Sequence, residues 1–493
     1  MSSTKAVATL GIDVTTTECA LAVVDAEGQE GFASLPMRGA TTWLGDASFP
    51  GFELDQVPIM IGQLLEQLQA DGWDFQANPG TVSVACRQHD QVLLGKNHEP
   101  LMPALSWQCN AATEDVLELR KLGAQDHVGK IEERFVLPKL HCVLRKQPQL
   151  RDLIRTVFLT GDWIAQQLTG ENSLSSSDAL SNGLLTQSTR EKATEVMTMA
   201  DLDANWFPDV AASGSVVGRI TDGGSEAWSS IRKRLAGWEF VAGLGDNHAS
   251  AVGCGMSDDH STLVVSAGTS GTINFACPAE TQLPADQLLQ FEFYQRDFLL
   301  LLMLAGCGDW YNRFLKEHAA GGDLNELNQR AGSVEKSTLQ RVLHDDMAQV
   351  ESFQPAWSTL DLGRQVADTQ FSIALELLLR VRTMIDQTRV AEVADPSVVV
   401  LTGGLSQSEF FQQVFHEGIS LVLPQASVRL SGRRGPLRYK TSAYGALINA
   451  ELPRHGSLAA IHAGSNRFPL RKCSAAEGNC ASQLNYLLRA YGV

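Results

Sequence analysis

Asp13 stands at the end of an apolar run and is followed almost at once by Thr15, Thr16 and Thr17, in the stretch ATLGIDVTTTECALAVVD (residues 8–25). A second apolar run, Cys19 to Val24, comes next, so the carboxylate and the hydroxyls fall at the tip of a tight β-hairpin. Small residues at such a tip let backbone N–H groups approach phosphate oxygens, and threonine hydroxyls add donors. A carboxylate beside phosphates is repulsive unless a divalent cation lies between them. Mg²⁺ suits that place, because it binds through one or two carboxylates plus phosphates. The same form recurs in STLVVSAGTSGTINFAC (261–277), whose tip is Gly268, Thr269, Ser270 and Gly271. For one hairpin alone, a surface turn whose side chains only satisfy turn amides is the plainer reading; two in one chain favour phosphate binding.

A second carboxylate closes a strand elsewhere. FVAGLG (240–245) reads as a strand that meets DNHASAVGCG (246–255), the start of a helix. Asp246 at that junction can accept a proton from a hydroxyl that attacks a phosphorus atom, or it can serve as the helix N-cap; both roles can hold together. Late in the chain, SVVVLTGGLSQSEFFQQVF (397–415) gives a buried strand, a glycine pair and an amphipathic helix.

The elements that must position these residues can be read from the same pattern. Residues 6–24 give two strands and 54–73 a helix. TVSVAC (81–86) is a short strand with HDQVLLG as its hairpin continuation, and 111–170 are mostly helical. ENSLSSSDALSNG (171–183) reads as a loop. SGSVVGRIT (213–221) is strand-like, TSAYGALINAEL (441–452) is a small-residue helix, and the tail from Pro453 to Val493 reads as a packed helix. The chain divides into two related halves, each opening on a hydroxyl- and glycine-rich hairpin, residues 1–255 and 256–493. At 493 residues it is too long for one core, and 44% apolar with 19% charged residues is ordinary for a soluble protein. A net charge of −17 argues against nucleic acid or an anionic membrane as partner. The longest apolar stretch, from Phe298, is too short to cross a bilayer. Nine scattered cysteines without a CxxC pair read as buried thiols in a reducing cytoplasm.

Taken in order, GIDVTTTECALAVVD, GLGDNHASAVGCG, VVSAGTSGTI and LTGGLSQSEFF resemble the FGGY family of carbohydrate kinases, within the actin-like ATPase superfamily. The resemblance implies an α/β fold of two actin-like ATPase (ribonuclease-H-like) domains with a cleft between them, and ATP-dependent phosphorylation of a sugar or polyol hydroxyl. By motif, Asp13 matches the family's metal and phosphate-site aspartate, with Thr15, Thr16 and Thr17 in the first phosphate loop. Asp246 matches the catalytic base and stands beside the metal. Gly268 to Gly271 match the second phosphate loop, and Gly403, Gly404, Ser406 and Ser408 the motif that borders the adenosine. ATP and Mg²⁺ are the implied cofactors, a small sugar the partner, and a homodimer the usual assembly.

VACRQHDQVLLG, followed by PALSWQCNAATEDV, is similar to the sugar-pocket segments of pentulose kinases. His89 falls on the family's substrate histidine and Gln88 beside it, with Trp107 and Asn247 completing the pocket. His89 is then a donor to a sugar hydroxyl or carbonyl; a hydrogen-bonded histidine ending a strand is the alternative. Four departures mark a divergent branch. Trp107-Gln108-Cys109 resembles the glycerol kinase pattern. Thr15 replaces a glycine, and its β-branched side chain disfavours a positive φ. Leu405 replaces the third glycine of a Gly-Gly-Gly motif, and the last helix lacks its usual early acidic residue. The expected substrate is a ketopentose such as xylulose, with kinases of glycerol, erythritol, ribulose or gluconate as alternatives. A non-catalytic sugar sensor is the competing class.

Overall fold

The computed structural model describes residues 5–223, 225–281, 288–318, 323–342, 360–431, 440–464, 470–473 and 481–491. The chain forms two compact units: residues 1–253 with 285–298 and 435–464, and residues 254–284 with 299–434 and 465–493.

In the first unit, β1 (Lys5–Val14) turns into β2 (Glu18–Asp25), with Val14 opposite Cys19, and β3 (Glu30–Pro36) pairs antiparallel to β2. Helix α1 (Gln56–Ala70) follows; it buries Val57, Met60, Ile61, Leu64, Leu65 and Leu68 at three- and four-residue spacing against β2 and β3. Each such side chain contributes roughly 1.5–3 kcal/mol by leaving water. Next come β4 (Thr81–Cys86), β5 (Gln91–Leu94), α2 (Thr113–Lys121), α3 (Val136–Lys146), β6 (Thr156–Leu159), α4 (Thr160–Thr169) and α5 (Ser176–Ser181). The series ends with β7 (Val216–Arg219), β8 (Glu239–Gly245) and α6 (Asp246–Gly253). The main sheet has the order β7-β8-β4-β1-β2-β3, with β8, β4 and β1 parallel.

The second unit repeats that order. Its strands are β9 (Thr262–Ala267), β10 (Gly271–Cys277), β11 (Phe298–Leu304), β12 (Val398–Thr402) and β13 (Ser427–Ser431). Helices α7 (Cys307–His318), α8 (Leu362–Val390) and α9 (Glu409–Val422) accompany them. The chain returns to the first unit as α10 (Thr441–His455) and α11 (Leu458–Gly464), then adds β14 (Leu470–Lys472) and α12 (Ala481–Tyr491) to the second. The second unit's own strands run in the order β14-β13-β12-β9-β10-β11, with β13, β12 and β9 parallel. Strand for strand this matches the first, so the ribonuclease-H-like core is present twice.

Helix α10 crosses α6 and β1 at backbone distance. A Cβ on Gly445 would lie 1.7 Å from the carbonyl oxygen of Ala249, and one on Gly11 would lie 2.4 Å from that of Ala443. The small residues of TSAYGALINAEL are therefore the means by which this helix reaches the strand ends.

Two local expectations need correction, and a third, the mostly helical span 111–170, holds with one addition. Residues 171–183 are a loop only over 171–173: 174–175 form a short strand and α5 follows, all buried. Their polar side chains are turned inward, Ser175 donating to the carbonyl of Gly243 at 2.7 Å and Ser177 meeting His248 Nδ1 at 2.7 Å. β5 does not continue β4 as a hairpin but pairs with β6 in a second sheet, because the buried Arg87–Asp90 segment carries the chain away. The span 111–170 also contains β6 among its helices. In the tail, α12 packs on α8 and α9, and Cys480 lies outside the described residues. The eight described cysteines are all free and buried.

Candidate active site

Register brings the first unit's chemistry to one edge. β1, β4 and β8 are parallel, with Val14 opposite Cys86 and Cys86 opposite Gly245. Asp13, the segment Arg87–Asp90 and Asp246 therefore all sit at the carboxyl ends of adjacent parallel strands, where open α/β sheets present ligand sites.

Asp13 is buried, 1% exposed. Its Oδ2 accepts a hydrogen bond from the Ser442 hydroxyl on α10, whereas Oδ1 has no partner among the described residues. Burial, with the Asp246 and Glu18 carboxylates adding to it against the Ser442 bond, pushes its pKa up to about 8. Such a carboxylate is poised for a cation: an orphaned oxygen in a dry site gains most from a divalent charge. No cluster of three or more His, Cys, Asp or Glu able to hold a metal exists among the described residues. One carboxylate plus phosphates, the manner in which Mg²⁺ is commonly held, is what the residues fit.

At the tip, the Thr15 hydroxyl is turned inward. It donates to the Glu18 carbonyl at 3.1 Å and accepts from the Glu18 N–H at 3.2 Å. Thr15 is absent from the residues of positive φ, so the position makes no demand for glycine. Thr16 and Thr17 are exposed, and the Thr16 hydroxyl accepts from the indole N–H of Trp107 at 3.1 Å. Trp107 is thus joined to the hairpin tip, and its own N–H is held by Asp90 Oδ1 at 2.9 Å.

Asp246 opens α6, and the Asn247 N–H donates to its Oδ1 at 2.8 Å. Burial first, then the nearby Asp90 charge, raise its pKa to about 6, opposed by the Asn247 bond and Arg87. That value suits a base that must be ionised near neutrality yet hold a proton briefly.

Gln88 and His89 are both buried, at 6% exposure. Gln88 lies across Gly245, where an added Cβ would meet its Cγ at 1.9 Å, and its amide nitrogen has no partner among the described residues. The His89 ring stacks on Phe135 with centroids 5.1 Å apart, and its Nδ1 meets Asn182 Oδ1 at 3.1 Å. Burial, reinforced by Arg134 and Lys139, holds its pKa well below the ordinary histidine value.

Four positioning groups escaped the sequence reading: Ser442, Asn182, Asp178 and Lys139. Lys139 is fully buried, and its ammonium donates to the carbonyls of His89 and Ser106, tying down the two segments that carry His89 and Trp107. A lysine three residues after Val136 and four before Val143, on the apolar stripe of α3, was the available signal. Asn182 and Asp178 sat in the presumed loop, and Ser442 where an acidic residue was expected.

In the second unit, the β9–β10 tip is Gly268, Thr269 and Ser270, with Ala267 opposite Gly271. The N–H of Gly308, at the start of α7, donates to the carbonyls of Gly268 (2.8 Å) and Thr269 (2.9 Å). Gly403 closes β12 with φ 90°, and a Cβ there would lie 2.4 Å from the carbonyl carbon of Ala267. The glycine motif and the phosphate-type hairpin are therefore in direct contact. Ser406 donates to the Gly403 carbonyl at 2.6 Å. Ser408 is 2% exposed; it caps α9 and donates to Gln370 at 2.7 Å, and Leu405 is buried beneath the turn. Gly404 is exposed and open above its Cα.

Comparison with known proteins agrees with this architecture. Residues 8–253 match the N-terminal domain of the FGGY family of carbohydrate kinases. A xylulose kinase of Streptomyces coelicolor is 26% identical over 314 residues, 62% of this chain and 62% of that protein. A xylulose kinase of Escherichia coli is 28% identical over 236 residues, 46% of this chain and 48% of its own length. These matches span about half to two thirds of the relatives' lengths. The crystal structure of a xylulose kinase from Rhodospirillum rubrum has a TM-score of 0.80 at 18% identity, covering 98% of this chain and 97% of that one. At that identity the likeness establishes the fold, the α/β architecture of the actin-like ATPases. Four ordered motifs, a doubled ribonuclease-H-like core and a match across the first unit make the chain a member of the FGGY family of carbohydrate kinases.

Proposed function

We propose that the protein is an ATP- and Mg²⁺-dependent kinase of a small sugar, with a ketopentose such as xylulose as substrate. The observation that carries this reading is the pairing, at one strand edge, of Asp246 with a pKa raised to about 6 and Asp13 with an unpartnered buried oxygen. Xylulose is favoured by the names of the relatives and by Gln88, packed across Gly245 next to Asp246 in the chain, with His89 following it. The reading also places the enzyme in a reducing cytoplasm, where its cysteines stay as thiols, and as a homodimer, the usual assembly in the family.

In this mechanism Asp246 takes the proton from the attacking sugar hydroxyl. The sugar oxygen bonds to the γ-phosphorus as the bond to the bridging oxygen breaks, and ADP departs. Bound Mg²⁺ supplies charge neutralisation at the phosphates, with Asp13 as its protein ligand and Asp246 nearby. Thr16 and Thr17 in the first loop, and Gly268 to Gly271 in the second, hold phosphate oxygens. Thr15 serves by closing the first loop. Gly403, Gly404 and Ser406 border the adenosine, with Ser408 fixing that turn from beneath. Gln88, His89, Trp107 and Asn247 orient the sugar.

The test is ADP release with Mg-ATP across D-xylulose, L-xylulose, D-ribulose, L-ribulose, glycerol, erythritol and gluconate, with Asp246→Asn as the blank. One ketose should give a signal that falls roughly 10²–10⁴-fold in the variant. A signal retained in Asp246→Asn would overturn the mechanism. Silence across the panel with no Mg-ATP binding would overturn the kinase reading.

A further inference from the structure

The orientation of the Asn182 amide is fixed by main-chain groups alone. Its nitrogen donates to the carbonyls of Gln88 and Asp178, each at 2.8 Å, and its Oδ1 accepts from the Val136 N–H at 3.1 Å. Exchanging oxygen and nitrogen would set an N–H against an N–H and an oxygen against two carbonyls. Oδ1 is therefore an acceptor, and the His89 nitrogen 3.1 Å away, Nδ1, must be the donor. In a neutral imidazole the other nitrogen then carries a lone pair and no proton. His89 Nε2 has no protein partner among the described residues, yet it is not one of the sealed, unsatisfied atoms, so it retains contact with solvent. Turning the ring over while it stays stacked on Phe135 would set a ring carbon against Asn182 Oδ1 and forfeit that bond, so the bond itself holds Nε2 where it is.

We propose that Asn182 is a positioning residue that locks His89 in the Nδ1–H tautomer, so that Nε2 accepts a hydrogen bond from one substrate hydroxyl. The statement about substrate rests on the sugar-kinase reading; the tautomer does not. It makes His89 a reader of hydroxyl groups, where sequence resemblance suggested a donor to hydroxyl or carbonyl. The site then rejects, at that one carbon, a keto group, a hydrogen or a fluorine alike, since none of them can donate.

Two measurements test this. Proton–nitrogen correlation spectra of ¹⁵N-histidine-labelled protein, with His89 assigned by its loss in His89→Gln, should show Nδ1 protonated and Nε2 bare from pH 6 to 8. A proton on Nε2 would overturn the proposal whatever the enzyme's activity. For the sugar identified by the panel, deoxy and deoxyfluoro analogues at one carbon should lose kcat/KM equally, by roughly 10- to 100-fold. A deoxyfluoro analogue that keeps activity would mean that Nε2 donates, and the proposal would fall. In Asn182→Asp the added charge should draw a second proton onto the ring, and the deoxyfluoro analogue should recover relative to the deoxy. An unchanged pattern in a folded Asn182→Asp would remove Asn182 from the assignment. If every sugar is silent and Mg-ATP does not bind while the spectrum shows the expected tautomer, the kinase reading alone has failed.

Discussion

Asp246 and Asp13 are both raised carboxylates, but the two shifts have opposite consequences for the enzyme. In the proposed mechanism Asp246 must be ionised to act, and its pKa lies near 6. We expect kcat/KM to fall about tenfold per pH unit below that value, with the acid limb absent in Asp246→Asn. A flat profile between pH 5 and 8 would remove Asp246 as the base. Asp13, the proposed Mg²⁺ ligand, illustrates the cost of a buried carboxylate. Its folded pKa of about 8 lies above the unfolded value of about 4, so it favours folding fully below pH 4, and that contribution disappears as pH rises through 8. Asp13→Asn, which cannot ionise, should therefore melt above the wild type, by a margin that widens from pH 5 to 8.5. Each kcal/mol relieved should add about 2–4 °C. The same variant should lose Mg-ATP binding by calorimetry. Equal melting at pH 8.5 would mean that the carboxylate is not desolvated as drawn.

At the scale of elements, α2 and α3 are joined by a polar cluster. Asp115 accepts from Arg145 at 2.9 Å and meets His141 Nδ1 at 2.9 Å. Burial works against the charged form of Asp115, but the hydrogen bonds from His141 and Arg145 outweigh it and hold its pKa down at about 2. Because that lies below the unfolded value, its stabilisation is present above pH 4 and is lost as pH falls toward 2. The Asp115 bond raises His141 in turn, and that share is lost as pH climbs above the raised value. Asp115→Asn should cost about 1–3 kcal/mol at pH 6 in urea melts, with the gap to wild type closing as pH falls below 4. A gap independent of pH would show that packing, not charge, carries the cluster. Elements of this kind differ in how plainly the sequence announces them. β4, β8 and the β9–β10 hairpin are continuous β-branched or small-residue runs with punctuated ends, and their period survives folding intact. The segment Ser175–Asn182, α5 with its flanking residues, is rich in serine, aspartate and asparagine, types that mark loops only when water is their partner. Here Gly243, His248 and Gln88 are the partners, and those lie 68 to 94 residues away in sequence. Composition cannot register a partner at that distance. The same limit hid Asn182 and Ser442, whose roles exist only once α5 and α10 are in place.

For the whole molecule, the first unit is completed by chain from beyond the second. α10 supplies Ser442 to Asp13, and Asn449 donates to Ser83 on β4 (2.7 Å) and to the carbonyl of Ala242 on β8 (2.8 Å). Tyr294, in the other returning segment, donates to Asn449 at 2.9 Å and packs against His248, their ring centroids 5.7 Å apart. A fragment ending at residue 253 would expose the faces of β1, β4 and α6 on which α10 lies, and would leave the buried polar groups of Ser83 and the Ala242 carbonyl without these partners. Losing a partner for a buried polar group costs about 1–3 kcal/mol each, before any apolar area is counted, against a total stability of about 5–15 kcal/mol for a domain. We therefore expect residues 1–253 alone to lack a cooperative thermal transition, although they hold every residue proposed to contact the sugar. Adding residues 435–464 as a separate peptide or through a linker should restore the transition, and Gly445→Ala in that segment should prevent it, because the new Cβ would press on the Ala249 carbonyl 1.7 Å away. A cooperative melt from the unassisted fragment would overturn the argument. It would mean that the strand order shared by the two sheets suffices for folding, and that α10 returns to serve the site alone.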